Sequence, residues 1–422
     1  MKIETKCLHA GYTPENGGAR VLPITQSTTY KYDSTTHVGD LFDLSVAGHM
    51  YSRISNPTVE AVENKIAALE GGVGALCTTS GQAANLIAIL NILSAGDSFI
   101  AASTIYGGTI NLFAVTLKRF GIECIFVDAD ASEEEILQQF KPNTKAVFGE
   151  TIANPAISVL DIEKFARIAH KNEVPLIIDN TFATPILCKP FEFGADIVTH
   201  STTKYMDGHA VQVGGVIVDS GKFNWDNGKF EDLCTPDESY HGVNYSKDFS
   251  TSAYIVKARV QLMRDFGCYP SAIQTWILNL GLETLHLRIK QHCDNALTVA
   301  RFLEKSEYVE SVCYPGLTSN KHYELAQKYL PNGTSGVLSF NIKGGKENAV
   351  KFMDALKLAS IEVHVAECRT CVLHPASATH RQLNDEQLLS AGINPGLIRF
   401  SCGIENVDDI LEDIKQAFNA IK

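Results

Sequence analysis

From about residue 61 to about residue 265, short apolar runs alternate with amphipathic helical patterns, and nothing else in the 422-residue chain constrains its fold as tightly. Strands separated by helices cannot close as hairpins. The alternation therefore predicts an α/β fold, with a mostly parallel sheet flanked by helices on both faces. In such a sheet the carboxyl ends of the strands open onto a crevice that binds ligands, so the residues at those ends are the first to read for chemistry.

Four strand ends stand out. Gly74-Ala-Leu-Cys-Thr-Thr-Ser-Gly-Gln-Ala-Ala-Asn85 reads as a strand, a small-residue turn and an apolar helix running through Leu93. Free N–H groups at that helix start, with the Ser80 hydroxyl and the bare Gly81, form a phosphate cradle, although a plain strand-to-helix turn looks similar. Ser98-Phe-Ile-Ala-Ala-Ser-Thr-Ile-Tyr-Gly-Gly-Thr109 puts Tyr106 at the crevice mouth, where it can stack on a ring and exchange protons or simply pack. Val174-Pro-Leu-Ile-Ile-Asp-Asn180 ends a buried strand in Asp179, suited to a protonated ring nitrogen and equally to a turn. Asp196-Ile-Val-Thr-His-Ser-Thr-Thr-Lys-Tyr205 delivers Lys204 into a cluster of hydroxyls, where its amine can form a Schiff base with an aldehyde cofactor. Most lysines are solvated surface cations, so the weight lies in the company: cradle, aromatic, carboxylate and lysine in order, each at a strand end.

With these residues in place, the chain resembles the pyridoxal-phosphate-dependent enzymes of cysteine and methionine metabolism, a group that includes cystathionine synthases and lyases, methionine γ-lyases and O-acetylhomoserine sulfhydrylases. It is most similar to the sulfhydrylases, through Leu8-His-Ala-Gly-Tyr12, Tyr51-Ser-Arg-Ile-Ser-Asn-Pro57, Phe148-Gly-Glu-Thr-Ile-Ala-Asn-Pro155, Gly281-Leu-Glu-Thr-Leu-His-Leu-Arg288, His374-Pro-Ala-Ser377 and Arg399-Phe-Ser-Cys-Gly-Ile-Glu405. The resemblance implies the pyridoxal-phosphate-dependent transferase fold, aspartate aminotransferase-like fold type I, with a smaller C-terminal α/β domain. Residues 1–60 would then form an arm contributing to the neighbouring subunit, 61–265 the cofactor-binding domain and 266–422 the C-terminal domain.

The resemblance also implies roles. Lys204 would hold pyridoxal 5'-phosphate and then move protons on the substrate. Asp179 would face the pyridine nitrogen, Tyr106 stack on the ring and Asn154 hydrogen-bond its phenolic oxygen. Ser80, Gly81, Gln82, Ser201 and Thr203 would bind the phosphate, joined by Tyr51 and Arg53 from the neighbouring subunit, so that a homotetramer is built from dimers sharing active sites. Arg399 would grip the substrate carboxylate. The implied reaction is replacement of the acetate of O-acetylhomoserine by sulfide, giving homocysteine.

Composition agrees. Lys and Arg total 36 against 48 Asp and Glu, with no basic run to suggest nucleic acid or an anionic membrane. The first residues lack the apolar core of a signal peptide, no apolar run is long enough to cross a bilayer, and eleven irregularly spaced cysteines read as reduced thiols. A cytoplasmic location is expected. Within the 61–265 region, 222–248 reads as a long polar and aromatic loop, a kind that is usually functional or mobile and is expected to help cover the substrate. A helical tract over 271–304, a strand over 337–342 and helices over 347–358 and 407–421 complete the reading.

One segment departs from the sulfhydrylase pattern. His364-Val-Ala-Glu367 stands where those enzymes usually have Asn or Ser, Val or Leu, Gly and Asp, beside the substrate carboxylate. Drift with compensating packing accounts for it, or His364 is a substrate-binding residue that adds a hydrogen bond or a titratable charge. Cys368 and Cys371 form a lone Cys-x-x-Cys pair without a second pair, so no metal is expected.

Three alternatives stay open. A methionine γ-lyase usually carries Cys where this chain has Gly108. A cystathionine γ-synthase would use cysteine in place of sulfide. A non-catalytic binding protein on the same fold would not need its lysine, aspartate, arginine and phosphate ligands.

Overall fold

The computed structural model describes residues 1–378 and 394–421. Its larger sheet contains β1 (Gly74–Thr78), β2 (Ser98–Ala102), β3 (Glu123–Val127), β4 (Thr144–Glu150), β5 (Leu176–Asp179), β6 (Ile197–His200) and β7 (Gly215–Asp219), in the order β1-β7-β6-β5-β4-β2-β3. Strands β2 to β6 pair in parallel, while β7 runs antiparallel between β1 and β6. Helices cover both faces, which is why β2 is buried at every position and reads as a continuous apolar run. Register sets the chemistry at the strand ends: Glu150 lies opposite Asp179, and Asp179 opposite Thr199, so these side chains share one face.

A second sheet follows, of β8 (Val309–Cys313), β9 (Val337–Ile342), β10 (Ser360–Ile361), β11 (Cys371–Leu373) and β12 (Leu397–Ser401), ordered β10-β11-β12-β9-β8. It packs with the helix Val407–Phe418 around a second apolar core. The two cores meet within the helix Leu285–Glu304, whose Leu285, Ile289 and Cys293 belong to the first and whose Ala296, Val299, Ala300 and Leu303 belong to the second.

Two expectations are corrected. The tract over 271–304 is two helices, Ala272–Glu283 and Leu285–Glu304, broken at Thr284. There Arg288 leaves the helix surface to hydrogen-bond Thr284 Oγ1 and the carbonyls of Tyr205, Met206 and Gly281. The segment 222–248 is not an open loop over the substrate. It contains the short helices Glu231–Cys234 and Tyr245–Phe249 and buries Trp225, Phe230, Leu233, Tyr240 and Tyr245 in the first core. Its aromatics anchor it there, away from the strand-end cleft. The early chain is likewise tied down: the helix Ile3–His9 buries Cys7, and Leu22 joins the same core. No helix among the described residues is long and apolar enough to cross a membrane.

Candidate active site

A cavity of about 250 Å³ opens over the carboxyl ends of β1, β2, β4, β5 and β6, and Val363, Val365 and Arg399 of the second sheet region close its far side. Each wall is placed by a local cause.

At β1 the chain turns into the helix Gly81–Leu90, which Ser80 caps by accepting a hydrogen bond from Ala83 N at 3.1 Å. Capping satisfies one of the free N–H groups of the first turn and leaves those of Gly81 and Gln82, both lining the cavity, for another acceptor. Gly81 is obligatory here, because a Cβ would come within 2.7 Å of the Ser201 Cβ. The turns after β1 and β6 therefore pack directly on one another. Thr203, also on the wall, exchanges hydrogen bonds with Gly214, its Oγ1 accepting from the N–H at 3.0 Å and donating to the carbonyl at 3.1 Å.

Asp179 ends β5 with both oxygens held: Oδ1 accepts from Thr181 N at 3.0 Å and Thr181 Oγ1 at 2.5 Å, and Oδ2 accepts from Asn85 Nδ2 at 3.3 Å. Asn85 is itself held by the Thr199 hydroxyl at 2.6 Å, and Thr181 Oγ1 also accepts from Ser201 N at 2.8 Å. One network thus ties the ends of β5 and β6 to the helix after β1. Beneath it lies a second. Glu70 Oε1 accepts from Asn180 Nδ2 at 3.0 Å and pairs with His200 Nε2 at 2.6 Å, with both side chains fully buried. Glu70→Ala strips the partner from this buried pair and is expected to cost about 3 kcal/mol, read as a lowered urea midpoint at unchanged slope. An unaltered midpoint would show that the pair does not support the strand ends.

Tyr106, 48 % exposed, stands on the wall after β2, and its backbone N–H donates to Glu150 Oε1 at 2.8 Å. Burial, then the neighbouring Asp179 charge, pushes the Glu150 carboxyl well above the usual carboxylate range. The Tyr106 ring lies over Gly108, where a Cβ would come 2.5 Å from the ring and 2.8 Å from Gln82 Nε2. A side chain at this position therefore displaces the tyrosine.

Lys204 sits in the turns that follow β6, which Arg288 clamps from below through the Tyr205 and Met206 carbonyls. Burial, then the Arg399 charge, brings its amine down to about 8. Nζ lies 3.3 Å from His364 Nδ1. Arg399, on β12 and 6 % exposed, donates to Asn154 Oδ1 at 3.3 Å and to the His364 carbonyl at 2.9 Å.

The structure thus gathers Ser80, Gly81, Gln82, Tyr106, Asn154, Asp179, Ser201, Thr203, Lys204 and Arg399 around one cavity, with His364 in contact through Lys204 and Arg399. Tyr51 and Arg53 are elsewhere on the chain. They line a separate groove with Tyr269 and Pro270, where Arg53 lies 5.5 Å from the Tyr51 ring and donates to the Arg264 carbonyl. Sequence reasoning missed Glu150 and Asn85. Glu150 carried a usable signal, being a carboxylate that ends an apolar strand as Asp179 does; Asn85 had only its place one turn into the helix after the cradle.

Comparison with known proteins agrees with this geometry. The family model of the Cys/Met metabolism PLP-dependent enzymes matches residues 4–419. An O-acetyl-L-homoserine sulfhydrylase of Leptospira meyeri is 44 % identical over 431 aligned residues, covering 100 % of this chain and 97 % of the relative. A homocysteine/cysteine synthase of Saccharomyces cerevisiae is 45 % identical, covering 99 % and 98 %. A crystal structure of a Campylobacter jejuni protein, assigned as an O-acetylhomoserine (thiol)-lyase and holding N'-pyridoxyl-lysine-5'-monophosphate, superposes with a TM-score of 0.95 at 37 % identity, covering 99 % of this chain and 100 % of that one.

Proposed function

We infer the activity from a premise the matches establish: the chain belongs to the Cys/Met metabolism PLP-dependent enzymes. It catalyses a γ-replacement, exchanging the acetoxy group of O-acetyl-L-homoserine for sulfide and releasing L-homocysteine and acetate, the activity for which its full-length relatives are named. What carries the reading at the level of residues is the meeting of Lys204, Asp179 and Arg399 in one cavity from separate parts of the fold.

The residues fit pyridoxal 5'-phosphate. A glycine at 81 that lets the turns after β1 and β6 close on one another, the uncapped N–H groups of Gly81 and Gln82, and the Ser201 hydroxyl suit a phosphate, which Thr203 would join by releasing its bond to the Gly214 carbonyl, and an anchored carboxylate at Asp179 suits a ring nitrogen. When bound, the cofactor supplies an electron sink for negative charge on the substrate carbons.

The protein does the rest. Arg399 receives the substrate carboxylate with a planar, two-pronged guanidinium and so fixes which bonds at Cα point toward Lys204. Lys204 Nζ, with an amine brought to about 8, takes the Cα proton, gives it up to the electron sink that the cofactor would supply, and, free again, takes a Cβ proton. Acetate leaves Cγ with the C–O bonding pair, hydrosulfide forms the C–S bond at the same carbon, and Lys204 returns the protons to Cβ and Cα. Tyr106 would cover the cofactor ring, and Asn154, whose Oδ1 accepts from Arg399, would face its phenolic oxygen.

Tyr51 and Arg53, outside the cavity of their own chain, complete the phosphate site of a neighbouring subunit, so that the working unit is a dimer and the assembly a homotetramer. The enzyme works in the cytoplasm. A steady-state panel tests the substrate reading: with O-acetyl-L-homoserine, kcat/KM for sulfide is expected to exceed that for cysteine by about tenfold or more, and methionine is expected to give little 2-oxobutanoate. A preference for cysteine, or rapid elimination from methionine, would replace this activity with a synthase or a lyase.

A further inference from the structure

His364 and Lys204 are 160 positions apart in sequence, yet Nδ1 of one lies 3.3 Å from Nζ of the other. The loop that carries His364 is held from three sides. Its carbonyl accepts from Arg399 Nη2 at 2.9 Å and from Cys371 Sγ at 3.6 Å, and two residues on Ala366 N donates to Ser401 Oγ at 2.9 Å with Ala366 in the left-handed region at φ 66°. The imidazole is therefore presented to Lys204 by a fixed backbone.

The charges around the pair decide who donates. Arg399 on β12 is always cationic. Cys371 on β11 is held as a neutral thiol by burial, pushed up to about 12, and Tyr106 lines the same cavity as Arg399. A second and third cation in this space are unfavourable together, so the His364 ring stays neutral, brought to about 4 by burial and then by Lys204 and Arg399. A protonated Lys204 can only donate, which makes Nδ1 the acceptor and places the ring proton on Nε2.

We propose that His364 is a positioning residue for Lys204, its Nδ1 accepting a hydrogen bond from the amine whenever that amine is not covalently engaged and holding it, with its proton, over the cavity. This rests on the reading of Lys204 as the residue that holds the cofactor and shuttles protons, and it is independent of which γ-substituent is exchanged. A neutral acceptor favours the charged form of its donor. His364 therefore keeps the freed Lys204 more protonated than burial and Arg399 alone would.

The test reads Lys204 itself. In cofactor-free protein, the pH dependence of covalent capture of pyridoxal 5'-phosphate, followed by absorbance, reports the amine's titration. His364→Leu is expected to shift that midpoint to lower pH by about one unit, and His364→Asn, whose side-chain oxygen can accept, is expected to restore most of it. The acid limb of kcat in the holoenzyme should move in the same direction. His364→Val gives the same readout if the leucine variant does not fold. An unchanged midpoint in the apolar variants, or an upward shift, overturns the proposal, as does an asparagine variant indistinguishable from leucine. Because capture requires no acyl substrate, its result is separable from a failure of the sulfhydrylase assignment.

Discussion

Lys204→Ala is expected to lower kcat for homocysteine formation by about 10⁴-fold or more and to remove the absorption band of the lysine-held cofactor from the purified protein. The size of the effect follows from what else the cavity offers. Arg399 keeps its proton at any working pH, and the His364 imidazole, brought to about 4 by burial and its two cationic neighbours, is too weak a base to replace an amine at about 8. Neither of the two groups nearest Lys204 can therefore take over proton transfer at Cα and Cβ. Lys204→Arg is expected to be equally inactive, since a guanidinium neither captures the aldehyde nor gives up its proton, whereas the cradle at Gly81 and the anchored Asp179 should still bind the free cofactor noncovalently. A normal band and a kcat within tenfold of the parent in either variant would remove Lys204 from the chemistry.

Arg399→Ala carries the second largest expectation, a fall in kcat/KM for O-acetyl-L-homoserine of about 10²- to 10³-fold, or about 3–4 kcal/mol. Most of it should appear as a raised KM for the amino acid with the KM for sulfide unchanged, because the guanidinium meets the carboxylate and not the nucleophile. Arg399 also aligns Asn154 and holds the His364 carbonyl, so a smaller loss in kcat should accompany the binding defect. Arg399→Lys keeps the charge but loses the two-pronged geometry and should recover only part of the activity. Equal increases in both KM values would point to general damage to the cavity instead.

The strand ends were legible because their signals are local. An apolar run that stops at Asp179, or a small-residue turn that opens a helix at Gly81, can be read without knowing what lies across the fold. Parallel pairing then brings those ends together whatever the loops do. What was not legible depends on register and long-range packing. Glu150 matters because β4 and β5 pair with Glu150 opposite Asp179, and Asn85 because one helical turn aims it at that same carboxylate. The segment 222–248 looked like a loop because polar residues separate its aromatics, yet Trp225 stacks on Tyr254 at 5.1 Å and Phe230 meets Trp225 edge-on, partners that composition does not reveal. The contact of His364 with Lys204 needed both sheets in place; the sequence showed only that the residue was unusual for its position.

The exchange at Cγ is best followed with isotopically labelled sulfide and O-acetyl-L-homoserine on the holoenzyme, with mass detection of the products. One labelled homocysteine per acetate released is expected. Acetate released without labelled homocysteine, accompanied by 2-oxobutanoate and ammonia, would mean that this cavity eliminates rather than replaces.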